Sequence, residues 1–375
     1  MDILDYMASK KKAMMAVLKS LVLLESPTVD KRAVDACSRR FLNEWTKTRG
    51  IVLRIPQKEI GDLYVLGHPR LSPSSIKPIL VLTHIDTVWP VGQLKDMPWR
   101  AAGSRIWGPG ILDMKAGLVM TLFALKALDE LGIEPRRPSV VFINSAEETG
   151  HAAASRWIRR MAGKAASVLC LEPALPDGSL KVRRKGRLVV GLQARGKSAH
   201  AGSPQLGINA LEEIVLQLTA LRSLRGGGTT MNIGSLEGGD RANVVPSSAR
   251  AVLDFRYWTE KDKTRILERL KALSPKIRGA RPSFSVESVT PPMERSPESR
   301  ALFQNAARIA AGLGLNLKAG QTGGGSDASL AASLGVPTLD GLGAVGAGIH
   351  AADEHILLPS LVERASLLAA LLAGL

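Results

Sequence analysis

Acidic and histidine residues recur in this chain where apolar runs stop. His84 and Asp86 follow the run Pro78 to Leu82, and Asp113 follows Gly108-Pro109-Gly110. Glu147 and Glu148 follow Val140 to Ile143, Glu172 follows Val168 to Leu171, and His350 closes a glycine-rich stretch. Imidazoles and carboxylates set at the ends of strand-like segments can converge as a two-metal site, which is hydrolase chemistry. His84-Ile85-Asp86 puts two polar side chains on one face of an extended segment, because strand side chains repeat every two residues. A metal-bound imidazole usually gives its other N–H to a carboxylate. His84 therefore reads as a ligand and Asp86 as the residue that orients it, with a plain structural hydrogen bond as the competing reading. Asp113 on its glycine-rich approach is either carried into a crowded site or is the N-cap of a helix beginning near Met114. Adjacent Glu147 and Glu148 repel each other unless a cation or proton compensates. At the C-terminal edge of a parallel sheet a metal can do so, leaving one Glu as ligand and the other as general base; a helix N-terminus is the alternative. Glu172, next to Pro173, sits at the same edge as a ligand or a salt-bridge partner. This donor set suits Zn²⁺, with Mn²⁺ or Co²⁺ as substitutes. The stretch Gly323-Gly324-Gly325-Ser326-Asp327 lacks the Gly-Lys-Ser/Thr ending of a phosphate loop. It reads as backbone closing around a ligand, with Gly325 among the substrate-binding candidates. No Gly-x-Ser-x-Gly elbow points to a serine nucleophile.

These residues need a scaffold that brings strand ends together. Pro78 to Leu82, Ser139 to Ile143 and Ser167 to Leu171 are continuously apolar, as in strands of a mostly parallel sheet buried on both faces. They alternate with helical patterns at Met14 to Leu24, Val34 to Trp45 and Met114 to Leu131, which predicts an α/β architecture. The middle of the chain differs. Arg187 to Ala194 alternates like a half-exposed strand, Gly207 to Leu224 is an amphipathic helix, Met231 to Leu236 and Ala249 to Arg256 read as strands, Lys261 to Leu273 as a helix and Phe284 to Val289 as a strand. That order predicts a ferredoxin-like α+β insert. Hinges are expected near Gly178 to Gly186 and Thr290 to Pro297, after which Arg300 to Leu313 resumes helix. Residues 1–180 and 294–375 then form the catalytic domain and residues 181–293 the inserted one.

The 375 residues are enough for two domains with a large core, and a hydrophobic fraction of 45% excludes a disordered chain. No apolar run approaches the ~20 residues that span a bilayer. The apolar stretch Ala13 to Leu24 contains Lys19 and no small-residue cleavage site, so it reads as a helix and not a signal peptide. Together with two unlinked cysteines, Cys37 and Cys170, this favours the cytoplasm. The net charge of +16 is spread along the chain, with short clusters such as Lys181 to Arg187 and no interleaved aromatics. It predicts a solvated basic surface or one that steers an anionic substrate, and no nucleic-acid partner.

In order and spacing the motifs resemble those of M20 family metallopeptidases, closest to the glutamate carboxypeptidase group, over nearly the whole chain. They are Glu25-Ser26-Pro27, His84 to Pro90, Gly108 to Gly117, Glu147-Glu148-Thr149-Gly150, Leu171-Glu172-Pro173, Ser198-Ala199-His200-Ala201-Gly202, Asn243-Val244-Val245-Pro246, Asp254-Phe255-Arg256, Gly325-Ser326-Asp327 and His350. The resemblance implies two Zn²⁺ per subunit, with Asp113 between the ions, His84 and Glu172 on one, and Glu148 and His350 on the other. It makes Glu147 the general base and Asp86 the residue that orients His84, and it implies a cis peptide after Asp113. It further implies that the insert is a lid and homodimerisation domain, that His200 reaches the active site of a partner subunit, and that Asn243 and Arg256 bind the substrate. His68, His151 and His355 match no ligand position and are expected to be structural; His151 stands where the family often has Ser. The expected activity is hydrolysis of an amide bond next to a free carboxylate, on a small peptide or an N-acyl amino acid. A deacylase of N-acyl amino acids is the alternative. A non-catalytic basic binding protein on the same scaffold predicts a missing ligand or base, and none is missing.

Overall fold

The computed structural model describes residues 1–48, 50–67 and 76–375; His68 lies outside the described residues. The chain divides into two compact units, one of residues 1–182, 295–321 and 326–375, the other of residues 183–294 and 322–325.

The first unit is built on a six-stranded sheet in the order Ile51–Ile55, Leu63–Gly67, Ser139–Asn144, Ile79–His84, Ser167–Cys170, Thr338–Leu339. The last four strands are mutually parallel, and the first two form an antiparallel hairpin on one edge. Every residue of Ile79–His84 and of Ser167–Cys170 is buried, as their continuous apolar character requires when both faces are covered. Helices Ile3–Val22, Ala116–Glu130 and Leu358–Gly374 pack on one another, and their buried faces, including Leu18, Leu122 and Leu368, share one core with the sheet. Helix Ala116–Glu130 begins two residues later than its pattern suggests. Residues 111–115 form an irregular turn in which Asp113 and Met114 have extended or bridging backbone angles, and their mutual peptide is cis. Gly117 lies in that helix's first turn because a Cβ there would stand 2.7 Å from the carbonyl oxygen of Leu171, at the end of the neighbouring strand. A smaller antiparallel sheet in the same unit orders Gly346–Ala347, His355–Leu357, Arg105–Trp107 and Arg100–Ala102.

The second unit has the ferredoxin-like order. Strand Gly186–Arg195, helix Ala210–Leu221, strands Thr230–Gly238 and Ser248–Tyr257, helix Glu260–Lys271 and strand Arg281–Thr290 follow one another along the chain. The sheet places Ser248–Tyr257 and Gly186–Arg195 in the centre, with all pairs antiparallel. Leu188, Val190 and Leu192 alternate inward against Ile214, Leu218, Ile266 and Leu270 of the helices. Both helices start where the sequence supplies caps: Asn209 accepts from two first-turn N–H groups, and Thr259 with Asp262 closes a capping box.

Among the described residues, no helix is long and apolar enough to cross a membrane. Leu368 is fully buried where the C-terminal helix meets the core. Leu368→Ala is expected to destabilise the protein by about 2–5 kcal/mol, read as a lower unfolding midpoint in urea.

Candidate metal centre

His84 is the last residue of a buried strand, level with Asn144 on its parallel neighbour, so its ring emerges at the C-terminal edge of the sheet. The segment around Ser26 ties down the residues that follow. The Ser26 hydroxyl donates to the Ile85 carbonyl at 2.8 Å, Thr87 N–H donates to the Ser26 carbonyl at 2.8 Å, and the Thr28 hydroxyl donates to Asp86 Oδ2 at 2.7 Å. Asp86 is fully buried, and its carboxylate also accepts from the main-chain N–H groups of Glu147, at 3.1 Å, and Glu148, at 3.2 Å. His84 Nδ1 lies 3.0 Å from the main-chain oxygen of Asp86 and 3.5 Å from its carboxylate. The ring is thus steered first by the Asp86 carbonyl, and the Asp86 side chain mainly fixes the turn that bears the glutamate pair.

Asp113 divides its two oxygens. Oδ1 is 3.0 Å from His84 Nε2, and Oδ2 is 3.3 Å from His350 Nε2. Glu172 Oε1 adds to the first side, 3.6 Å from His84 Nε2, and Glu148 Oε2 to the second, 3.3 Å from His350 Nε2. Two triads result, His84–Asp113–Glu172 and Asp113–Glu148–His350, and within each the donor atoms lie within 4.8 Å of one another. Asp113 does not cap the following helix, whose N-cap position is Lys115. The glutamate pair does not open a helix either; His151 caps the helix Ala152–Ala162 through its own ring. The His350 backbone is in the left-handed region, with φ 58°, on the hairpin loop between Gly346–Ala347 and His355–Leu357. His355 stacks against Trp107 and bonds the Asp353 carbonyl.

The electrostatics of the triads call for positive charge. Burial would lower the His84 pKa, but Asp113 and Asp86 hold it well above its ordinary value. His350 is pushed up to about 10 by Asp113 and Glu148. Burial would raise the Asp113 carboxyl, yet His350 and His84 hold it well below the usual carboxylate range. Glu147 carries no ligand contact of this kind; burial, and then the Glu172 charge, push it well above the normal range. Glu148 Oε1 is buried without a hydrogen-bond partner. An orphaned carboxylate oxygen beside two imidazoles and two further carboxylates fits a pair of divalent cations of the zinc, manganese or cobalt type.

Several residues around the triads gave little signal in the sequence. Glu354 is buried at the base of the His350 loop and bonds the main chain of the Asp113 turn. Asp327 accepts from Asn144 Nδ2 at 2.7 Å, and burial raises its carboxyl to about 6. Only its place after the glycine run, and Asn144's at a strand end, could have pointed to them. The remaining candidates belong to the second unit. His200 is exposed, and its Nδ1 accepts from Gly202 N–H at 3.0 Å. Asn243 is exposed, with its carbonyl accepting from Ala201 N–H at 2.9 Å. Arg256 pairs with Asp254 at 2.7 Å, and the Gly325 carbonyl accepts from Arg184 Nη1 at 2.8 Å.

The sequence model of peptidase family M20/M25/M40 matches residues 80–374. Carboxypeptidase G2 from Pseudomonas sp. is 29% identical, over 96% of this chain and 88% of its own. The crystal structure of aminopeptidase PepT from Bacillus cereus superposes with a TM-score of 0.80 at 22% identity, covering 97% of this chain and 98% of that one. The dipeptidase Dug1p from Saccharomyces cerevisiae superposes with a TM-score of 0.70 at 14% identity, covering 99% and 98%. These structural likenesses carry the fold.

Because metal must displace the protons held on the two imidazoles, cation uptake by metal-free protein at pH 7 is expected to release protons, and affinity to rise with pH toward about 10, where His350 loses its proton unaided. Titration calorimetry in buffers of different ionisation enthalpy measures the release; heats that do not depend on the buffer would contradict it.

Proposed function

The chain belongs to peptidase family M20/M25/M40 and is a metallo-hydrolase, and on that premise we propose that it cleaves an amide bond adjacent to a free carboxylate, in the manner of a carboxypeptidase or dipeptidase. The observation that carries this reading is the division of Asp113 between two histidine-centred triads, with the protonatable Glu147 beside them. His84, Asp113 and Glu172 would hold one zinc ion, and Asp113, Glu148 and His350 the other. When bound, such a pair supplies Lewis acidity, polarising a carbonyl and making water acidic enough to react near neutral pH.

The chain's own groups do the rest. Glu147 accepts the proton of the attacking water and delivers it to the departing amine nitrogen. A carboxyl placed beside the triads but outside their donor set suits a group that must both take and return a proton. Asp86 keeps Glu147 and Glu148 in register by holding both of their main-chain N–H groups. The unit of residues 183–294 serves as lid and dimerisation domain, and a second copy contributes His200. With Nδ1 accepting from Gly202, the neutral ring carries its proton on Nε2, ready to donate to the oxygen of the scissile carbonyl. Arg256 and Asn243 bind the substrate's carboxylate and carbonyl; the two-point contact with Asp254 orients the Arg256 guanidinium.

Glu147→Gln is expected to lower kcat by a factor on the order of 10²–10⁴ while two zinc ions remain bound; near-normal turnover with full metal would remove Glu147 from the proton path. A panel of dipeptides and N-acyl amino acids, each with a free or an amidated carboxylate, tests the substrate class on zinc-loaded enzyme. Free carboxylates are expected to be preferred by about 100-fold or more, and turnover of N-acetyl amino acids alone would favour a deacylase. Mixed dimers of His200→Ala and Glu147→Gln subunits should regain activity that neither parent has. Verified heterodimers without activity would rule out a His200 acting across subunits.

A further inference from the structure

Glu354 is 1% exposed, and its carboxylate has four N–H donors aimed at it. Oε1 accepts from the main chain of Leu112 at 2.8 Å and of Asp113 at 3.1 Å; Oε2 accepts from Gly110 N–H at 2.9 Å and from the Trp89 indole at 2.7 Å. Its own carbonyl accepts from Gly108 N–H at 3.4 Å. One side chain therefore holds three stretches of chain: the turn that carries Asp113, the segment that continues from His84 and Asp86 to Trp89, and the hairpin that carries His350. That turn has little regular structure of its own. Gly110 takes a φ of 67° there, a Cβ at Gly110 would collide with Thr87, and residues 113 and 114 depart from helical angles. Besides two main-chain bonds within the turn, from Ile111 N–H to the Gly108 carbonyl and from Lys115 N–H to the Gly110 carbonyl, the hydrogen bonds that set where Asp113 points run from its own N–H and its neighbours' to Glu354.

We infer that Glu354 is a positioning residue for the metal centre: it fixes the Asp113 turn so that the two Asp113 oxygens face the two triads, and it links that placement to His84 and His350. The inference rests on the metal-centre reading above and adds to it a residue outside the ligand set. Glutamine at this position is nearly isosteric, but it keeps one acceptor oxygen and turns an NH₂ group toward two N–H donors. It should loosen the turn without emptying the core.

The test is Zn²⁺ titration of metal-free protein against a competing chelator, with the unfolding of the same metal-free samples followed by calorimetry. The proteins compared are wild type, Glu354→Gln and, as a destabilised control remote from the turn, Leu368→Ala. The expected result is a loss of about tenfold or more in Zn²⁺ affinity for Glu354→Gln, the range for residues that orient metal ligands, with cooperative unfolding retained and Leu368→Ala binding like wild type. Wild-type affinity in Glu354→Gln overturns the inference even if its melting temperature falls, and so does an equal loss in Leu368→Ala. If Glu354→Gln does not fold, Trp89→Phe decides: it keeps an aromatic side chain and withdraws one donor. A two- to fivefold weaker affinity is then expected on the same grounds, and an unchanged one overturns the inference. A wild-type protein that takes up no zinc overturns the inference and the metal-centre reading together; loss of the inference alone leaves wild-type stoichiometry at two.

Discussion

The structure is organised around a concentration of like charge. Asp113, Glu148 and Glu172 converge with Glu147 at one edge of a sheet, in a region withdrawn from water. Carboxylates so placed cannot all remain ionised without compensation, because each raises the cost of charging the next. The compensation is divided by position. Asp86 and Glu354 have both carboxylate oxygens met by hydrogen-bond donors of the chain itself. Asp113 sets its two oxygens against the two imidazoles, and one buried oxygen of Glu148 has no hydrogen-bond partner. The chain's own donors therefore serve the outer carboxylates, and the Glu148 oxygen left without a donor beside the two imidazole-centred triads fits a divalent ion.

Two kinds of element supply the inner groups, and the difference has a consequence. His84 and Glu172 come from the ends of fully buried parallel strands, whereas His350 comes from a hairpin loop of the smaller sheet. The His84 side chain is 1% exposed and that of His350 47%. The first triad is closed off from water, whereas the second meets solvent through His350.

Legibility in the sequence followed the same division. Where a candidate site residue closes a continuous apolar run, as His84, Glu147-Glu148 and Glu172 do, the run alone located the strand and its end. Asp113 was ambiguous because a glycine-rich turn before a helix suits a cap and a ligand equally; the irregular 111–115 turn, not any local preference, decides between them. The hairpin Ile51–Gly67 has a weaker signature, because its apolar runs Ile51 to Leu53 and Leu63 to Leu66 are short and Ile51–Ile55 is half-exposed without alternation. Glu354 had no local signature either: in Asp353-Glu354-His355 it looks like solvated loop, and its burial depends on residues more than two hundred positions earlier. The His200 segment was legible only as a family motif, since a lone histidine in an exposed loop has no physical signature.

The candidate ligands are also dispersed along the chain, from His84 to His350. During synthesis the strands that carry His84, Glu148 and Glu172 emerge long before the hairpin that carries His350 and Glu354, and N-terminal regions fold first. A nascent chain can therefore offer the sealed triad to a cation while the open one still lacks its imidazole and the Asp113 turn still lacks its carboxylate anchor. The complete pair of triads thus forms only after segments more than two hundred residues apart have both emerged and met.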